Sequence, residues 1–214
     1  IYKIYKKDEH GMKKSLKKVL ALVTAVVMVA VLAVTAFAVD GLSENGKAPL
    51  TKQVRVPAGL TVPEHTYEFV FTPGAVKDSD TSEMSPDINN GTVPTADDNK
   101  WTIAFDGTEA VGGTPDADGY FYAEKTIEDV LANTTFPHAG IYTYTVAETQ
   151  SGTPAVGGSM EYSDAEFTME VYVDNGASGL EIKFIEFKKI VDDDDTTLEN
   201  ALKTDMLFKN TYTK

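Results

Sequence analysis

Apolar side chains recur at every second position along most of this chain, in short runs that Gly, Pro, Asn or Asp cut off. Successive side chains on a strand leave the backbone on opposite faces, so a period of two is the signature of β-structure. The clear runs are 50–56, 67–71, 101–105, 120–123, 141–148, 166–173, 180–187 and 206–212. Phe167, Met169, Val171 and Val173 lead through Asp174-Asn175-Gly176-Ala177-Ser178-Gly179 into Leu180, Ile182 and Phe184, a hairpin signal. Short strands at this spacing predict an all-β domain built as a two-sheet sandwich. One short helical turn is expected over Thr126 to Asn133, where Ile127, Val130 and Leu131 follow a capping threonine and an early acidic pair.

Three runs carry a polar residue on the greasy face. Lys52 is in phase with Leu50, Val54 and Val56; Glu148 with Tyr142, Tyr144 and Val146; Asn210 with Met206, Phe208 and Tyr212. An amine, a carboxyl and a carboxamide aimed at a core are costly unless they satisfy one another. Each also has a plain alternative. Lys52 can snorkel from a sheet edge, Glu148 can end its strand at the surface, and Asn210 can lie in a frayed end. All three together suggest chemistry. Burial favours the free amine of a lysine and the protonated form of a carboxyl. A neutral Glu148 would polarise the Asn210 amide through its oxygen, Lys52 would attack the side-chain carbonyl carbon, and ammonia would leave. Near-attack geometry and exclusion of water would supply much of the acceleration that unassisted amide exchange lacks. The expected product is a Lys52–Asn210 isopeptide bond, with Glu148 as the catalytic carboxyl and no cofactor.

Signals for other chemistry are weak. There is no G-x-S-x-G, no phosphate-cradling glycine loop and no H-E-x-x-H. His10, His65 and His138 are scattered, so no metal site is expected, and carboxylates are too abundant for any pair to stand out. Lys13, Lys14, Lys17 and Lys18 precede the apolar run Val19 to Ala38, which closes on Ala36-Phe37-Ala38, the pattern of a cleavable signal peptide, with a retained membrane helix as the alternative. Residues 1–38 are thus expected to be upstream sequence plus an N-terminal signal helix, 39–48 a linker and 49–214 the sandwich. Without 1–38 the chain holds 12 basic against 31 acidic residues, a net charge of −19, which disfavours nucleic acid and anionic membranes as partners. There is no cysteine to form a disulfide. Asp78 to Lys100 reads as a long surface loop. The acidic run Asp192 to Asp195 reads as a solvated loop without the spacing of a calcium motif.

Tyr144-Thr145-Val146-Ala147-Glu148-Thr149 is similar to the Y-x-V-x-E-T box of Gram-positive pilin and surface-adhesin domains. With the lysine of the opening strand, Tyr67-Glu68-Phe69-Val70-Phe71, Ala139-Gly140-Ile141-Tyr142 and the closing Phe208-Lys209-Asn210-Thr211-Tyr212, the chain resembles the streptococcal-type pilin isopeptide linkage domain over roughly 49–214. The resemblance implies an immunoglobulin-like, adhesin-type β-sandwich whose first and last strands are adjacent and joined, with Lys52 as amine donor, Asn210 as acceptor and Glu148 as catalytic carboxyl. It further implies an exported, cell-surface structural subunit of a pilus or stalk, partnered by other pilin or surface-protein subunits through a sortase. It does not imply a turnover enzyme. Two departures leave polymerisation open: no L-P-x-T-G-like signal follows Tyr212, and there is no Y-P-K-like segment. The competing reading is an adhesin module that binds host protein or glycan through loops such as Asp78 to Lys100.

Overall fold

A computed structural model describes residues 41–43, 45–77, 82–91, 98–150, 154 and 157–214. The expected signal helix within 1–38 lies outside these residues. Eleven strands are described: β1 (Leu42–Ser43), β2 (Leu50–Val56), β3 (His65–Pro73), β4 (Lys100–Phe105), β5 (Phe121–Ile127), β6 (Gly140–Thr149), β7 (Ser159–Glu161), β8 (Glu166–Gly176), β9 (Gly179–Val191), β10 (Thr197–Lys203) and β11 (Met206–Thr213). The larger sheet runs β1-β9-β8-β6-β3-β4, with β10 also on β9; the smaller runs β5-β2-β11-β7. No helix among the described residues is long and apolar enough to cross a membrane.

The alternation read from the sequence sets the core. The larger sheet turns Tyr67, Phe69, Phe71, Tyr142, Tyr144, Val146, Phe167, Met169 and Val171 inward, and the smaller sheet answers with Leu50, Val54, Val56, Met206, Phe208 and Tyr212, all buried. Burying side chains of this size, at about 25 cal/mol per Å² of apolar surface, is the main force holding the two layers together. Charged residues occupy the other face of the larger sheet, where Glu170 pairs with Lys77 and Lys188, and Glu186 with Lys188 and Lys203.

Strand order places the ends of the domain side by side. β2 and β11 pair in parallel at the centre of the smaller sheet, in the register Lys52↔Phe208 and Val54↔Asn210. A parallel pair needs a crossover, and here the crossover is nearly the whole domain. The flanking β5 and β7 are antiparallel to it.

Several expectations change. Thr126 and Ile127 end β5, and residues 130–133 form a turn rather than a helical turn. Asp129 takes the N–H groups of both Leu131 and Ala48 on its carboxylate, and buried Val130 and Leu131 dock a non-helical loop on the core. The stretch 39–48, expected as a linker, contributes β1 and fully buried Ala48. The Gly41 carbonyl accepts Phe187 N–H, and Gly41 approaches Thr204 so closely that a Cβ would lie 2.4 Å from its backbone nitrogen. Within the expected 78–100 surface loop, Ile88 is fully buried, Ser85 accepts from Thr143 N–H, and the Tyr144 hydroxyl donates to Pro86. The hairpin after β8 is tighter than its polar sequence suggests, because pairing continues to Gly176↔Gly179.

Candidate functional site

Lys52, Glu148 and Asn210 meet between the sheets. β2 and β11 deliver Lys52 and Asn210 as diagonal neighbours on the inner face of the smaller sheet, and β6 delivers Glu148 from the opposite layer. Lys52 and Asn210 are 0% exposed, and the Glu148 side chain is equally removed from solvent. Phe69, Phe167 and Phe208 form one wall, with Phe208 centred 5.0 Å from each of the other two rings. Lys52 Nζ lies 4.7 Å above the Tyr67 ring, whose negative face supports the ammonium form.

One carboxyl contacts both partners. Lys52 Nζ donates to Glu148 Oε2 at 2.5 Å, and Asn210 Nδ2 donates to Glu148 Oε1 at 2.7 Å. The amide oxygen faces the other way and accepts the Ser163 main-chain N–H at 2.7 Å. A backbone N–H can only donate, so this contact fixes Asn210 with its nitrogen toward Glu148. The sequence-based expectation had Glu148 acting on the amide oxygen. The structure instead puts Glu148 at the nitrogen and Ser163 at the oxygen.

Taking two charges out of water is expensive even when they pair. Burial pulls Lys52 down to about 8, against the opposing charge and hydrogen bond of Glu148. Burial likewise pushes the Glu148 carboxyl up, outweighing the Lys52 charge and the hydrogen bonds from Lys52 and Asn210. Both shifts favour the uncharged pair, a free amine beside a carboxylic acid. Desolvation raises the Tyr67 phenol too, so it stays protonated as a neutral lid.

Two contributors escaped the sequence reading. Ser163 lies between β7 and β8 in no pattern that marks it. Asp193, in the acidic run read as solvated, accepts from the Ser163 hydroxyl, Lys209 N–H and Lys189 Nζ. The described residues contain no group of three or more His, Cys, Asp or Glu arranged to hold a metal ion.

The fold is thus a two-sheet sandwich with adjacent parallel end strands and a lysine, a carboxyl and an asparagine sealed between its layers. Residues 48–213 match the model of the Spy0128-like isopeptide containing domain, FctA, and the chain belongs to that family. Among solved structures it is similar to the major pilin proteins T-13 and T3.2 from Streptococcus pyogenes. T-13 is 22% identical over 81% of this chain and 55% of that chain, with a TM-score of 0.55. T3.2 is 23% identical over 81% and 54%, also at 0.55. A further Streptococcus pyogenes major pilin is 16% identical over 78% and 50%, at 0.52. The likeness is one of fold, and the chain spans about half the length of these pilins. No curated protein sequence matches the chain.

Proposed function

We propose that this domain is an exported module of a pilus or stalk subunit, locked by a self-made isopeptide bond between Lys52 and Asn210. The observation that carries the proposal is the double contact of Glu148, one oxygen on the Lys52 amine and the other on the Asn210 amide nitrogen. In the uncharged state Lys52 Nζ attacks the Asn210 side-chain carbonyl carbon. Glu148 Oε2 takes a proton from Nζ while Oε1 hands one to Nδ2, the C–N bond to Nδ2 breaks, and ammonia leaves. The carboxyl ends as it began, so Glu148 is catalytic although each molecule reacts once. No cofactor takes part.

The bond's position explains its use. Joining neighbouring parallel end strands routes tension entering near β2 and leaving near β11 through a covalent bridge, which shields the sheets from extension. Family membership supports assembly with other pilin subunits, with sortase joining and host contacts as further elements of the same reading. Intact-mass measurement of the purified chain tests the core of the proposal. The expected mass is short by one ammonia, and the uncorrected mass would refute the bond.

A further inference from the structure

The fate of charge on the Asn210 oxygen points to two residues beyond the Lys–Glu–Asn trio. When Nζ attacks, the carbonyl electron pair moves onto Oδ1, in a site whose walls are aromatic. Ser163 N–H already sits 2.7 Å from that oxygen, within the range at which preorganised donors stabilise an oxyanion. A main-chain donor cannot titrate, but it is useful only if its peptide is held still. Ser163 is 1% exposed; its hydroxyl donates to Asp193 Oδ1 at 2.6 Å and accepts Ala165 N–H at 3.2 Å. The same Asp193 Oδ1 accepts Lys209 N–H at 3.1 Å. Asp193 therefore ties the residue that holds the Asn210 oxygen to the residue that precedes Asn210 on β11.

We propose that the Ser163 N–H is the oxyanion donor of isopeptide formation and that Asp193 is the positioning residue that sets it. The inference rests on the Lys52–Asn210 reading above. The bonds made and broken are those of that reading; Ser163 and Asp193 gain and lose no proton. An anion near a developing oxyanion is a hazard, and the fold neutralises it. Lys189 Nζ meets Asp193 Oδ2 at 2.8 Å and Asp192 Oδ1 at 3.0 Å, and Lys189 is itself largely buried over Phe167. The groups facing Asp193 are thus Ser163 from the segment before β8, Lys209 N–H from β11, and Lys189 with Asp192 from the end of β9 and its turn.

The test follows ammonia loss in time. The full chain is made by cell-free synthesis, quenched at intervals into acidic denaturant, and weighed intact. Ser163→Ala keeps the N–H but cuts its tether, and Asp193→Ala removes the anchor. Each is expected to slow the reaction roughly ten- to a hundredfold, less than outright loss of an oxyanion donor. Asp193→Asn keeps an acceptor oxygen, so its rate stays within a few-fold of the parent. Its pH profile moves to lower pH on both limbs, because the Asp193 charge raises both Lys52 and Glu148. The displacement reports the Asp193 charge alone; positioning is read from the rate that asparagine restores and alanine does not. Alanine variants that react at the parental rate overturn the proposal, as does an Asp193→Asn variant as slow as Asp193→Ala. Should the alanine variants not fold, the Asp193→Asn rate decides: within a few-fold of the parent supports, a slowing of about tenfold or more overturns. If the unaltered chain releases no ammonia, the parent reading falls and takes this one with it; if it does and Ser163→Ala keeps pace, only this one falls.

Discussion

Glu148→Gln isolates the contribution of the covalent link. The replacement keeps the volume and planar shape of the side chain, so the aromatic wall and the Lys52 and Asn210 positions are preserved, while the acid that moves protons is lost. A link from Lys52 to Asn210 closes a loop of about 160 residues and removes about 5 kcal/mol of unfolded-state freedom by loop-entropy arithmetic. At about 2–4 °C per kcal/mol for a domain of this size, its absence lowers Tm by roughly 10–20 °C. Intact mass and thermal unfolding followed by circular dichroism measure both consequences on one sample. The expected variant carries the uncorrected mass and the lower Tm. A variant that has lost ammonia like the parent, or that keeps the uncorrected mass yet melts within about 3 °C of it, would refute the reasoning.

Other perturbations read other parts of the structure. Lys52→Ala and Asn210→Ala each restore the uncorrected mass, and Lys52→Ala melts below Glu148→Gln because it adds a cavity and leaves Glu148 buried without its partner; urea unfolding of all three checks the order. Ile88→Ala costs about 2–5 kcal/mol because Ile88 is a fully buried core residue, whereas a surface loop would lose almost nothing, and denaturant midpoints separate these. His138 stands above its ordinary 6.5 because it bonds the Ala139 carbonyl and then the Glu83 carboxylate. Because the folded value is raised, the stabilisation is complete below about 6.5 and is lost as pH climbs through the higher folded value. Hydrogen exchange in 82–91 is therefore expected to quicken over that rise, and His138→Gln to flatten the change.

Period-two alternation made much of this fold legible. The 50–56 run matches β2 in both bounds, and Lys52, Glu148 and Asn210 could be aimed inward because a strand leaves only two choices of face. What stayed illegible lacks a period. β1 and β7 are too short to alternate, and β10 is exposed along nearly its whole length, so its residues follow no core. Val130 and Leu131 look like part of a helical stripe, but Asp129 binds the local N–H groups in a turn. Ile88 stands between polar neighbours in a proline-containing stretch without a period, so its burial is decided by tertiary packing. Ser163 and Asp193 join the cluster through a backbone N–H and a turn, and neither leaves a residue-type signature. The acidic run reads as solvated until its Lys189 and Lys209 partners are in place. The inward aim of Glu148 was legible but not its orientation, since which end of the Asn210 amide it meets is decided by Ser163.

Peptide mapping reads the Lys52–Asn210 bond itself. Proteolysis of the purified chain followed by tandem mass spectrometry should yield a branched peptide in which Lys52 is joined to Asn210, lighter by one ammonia than its two arms. Recovery of both arms as separate, unmodified linear peptides would contradict the account, and a branch through Lys47 or Asn200 would contradict the assigned site.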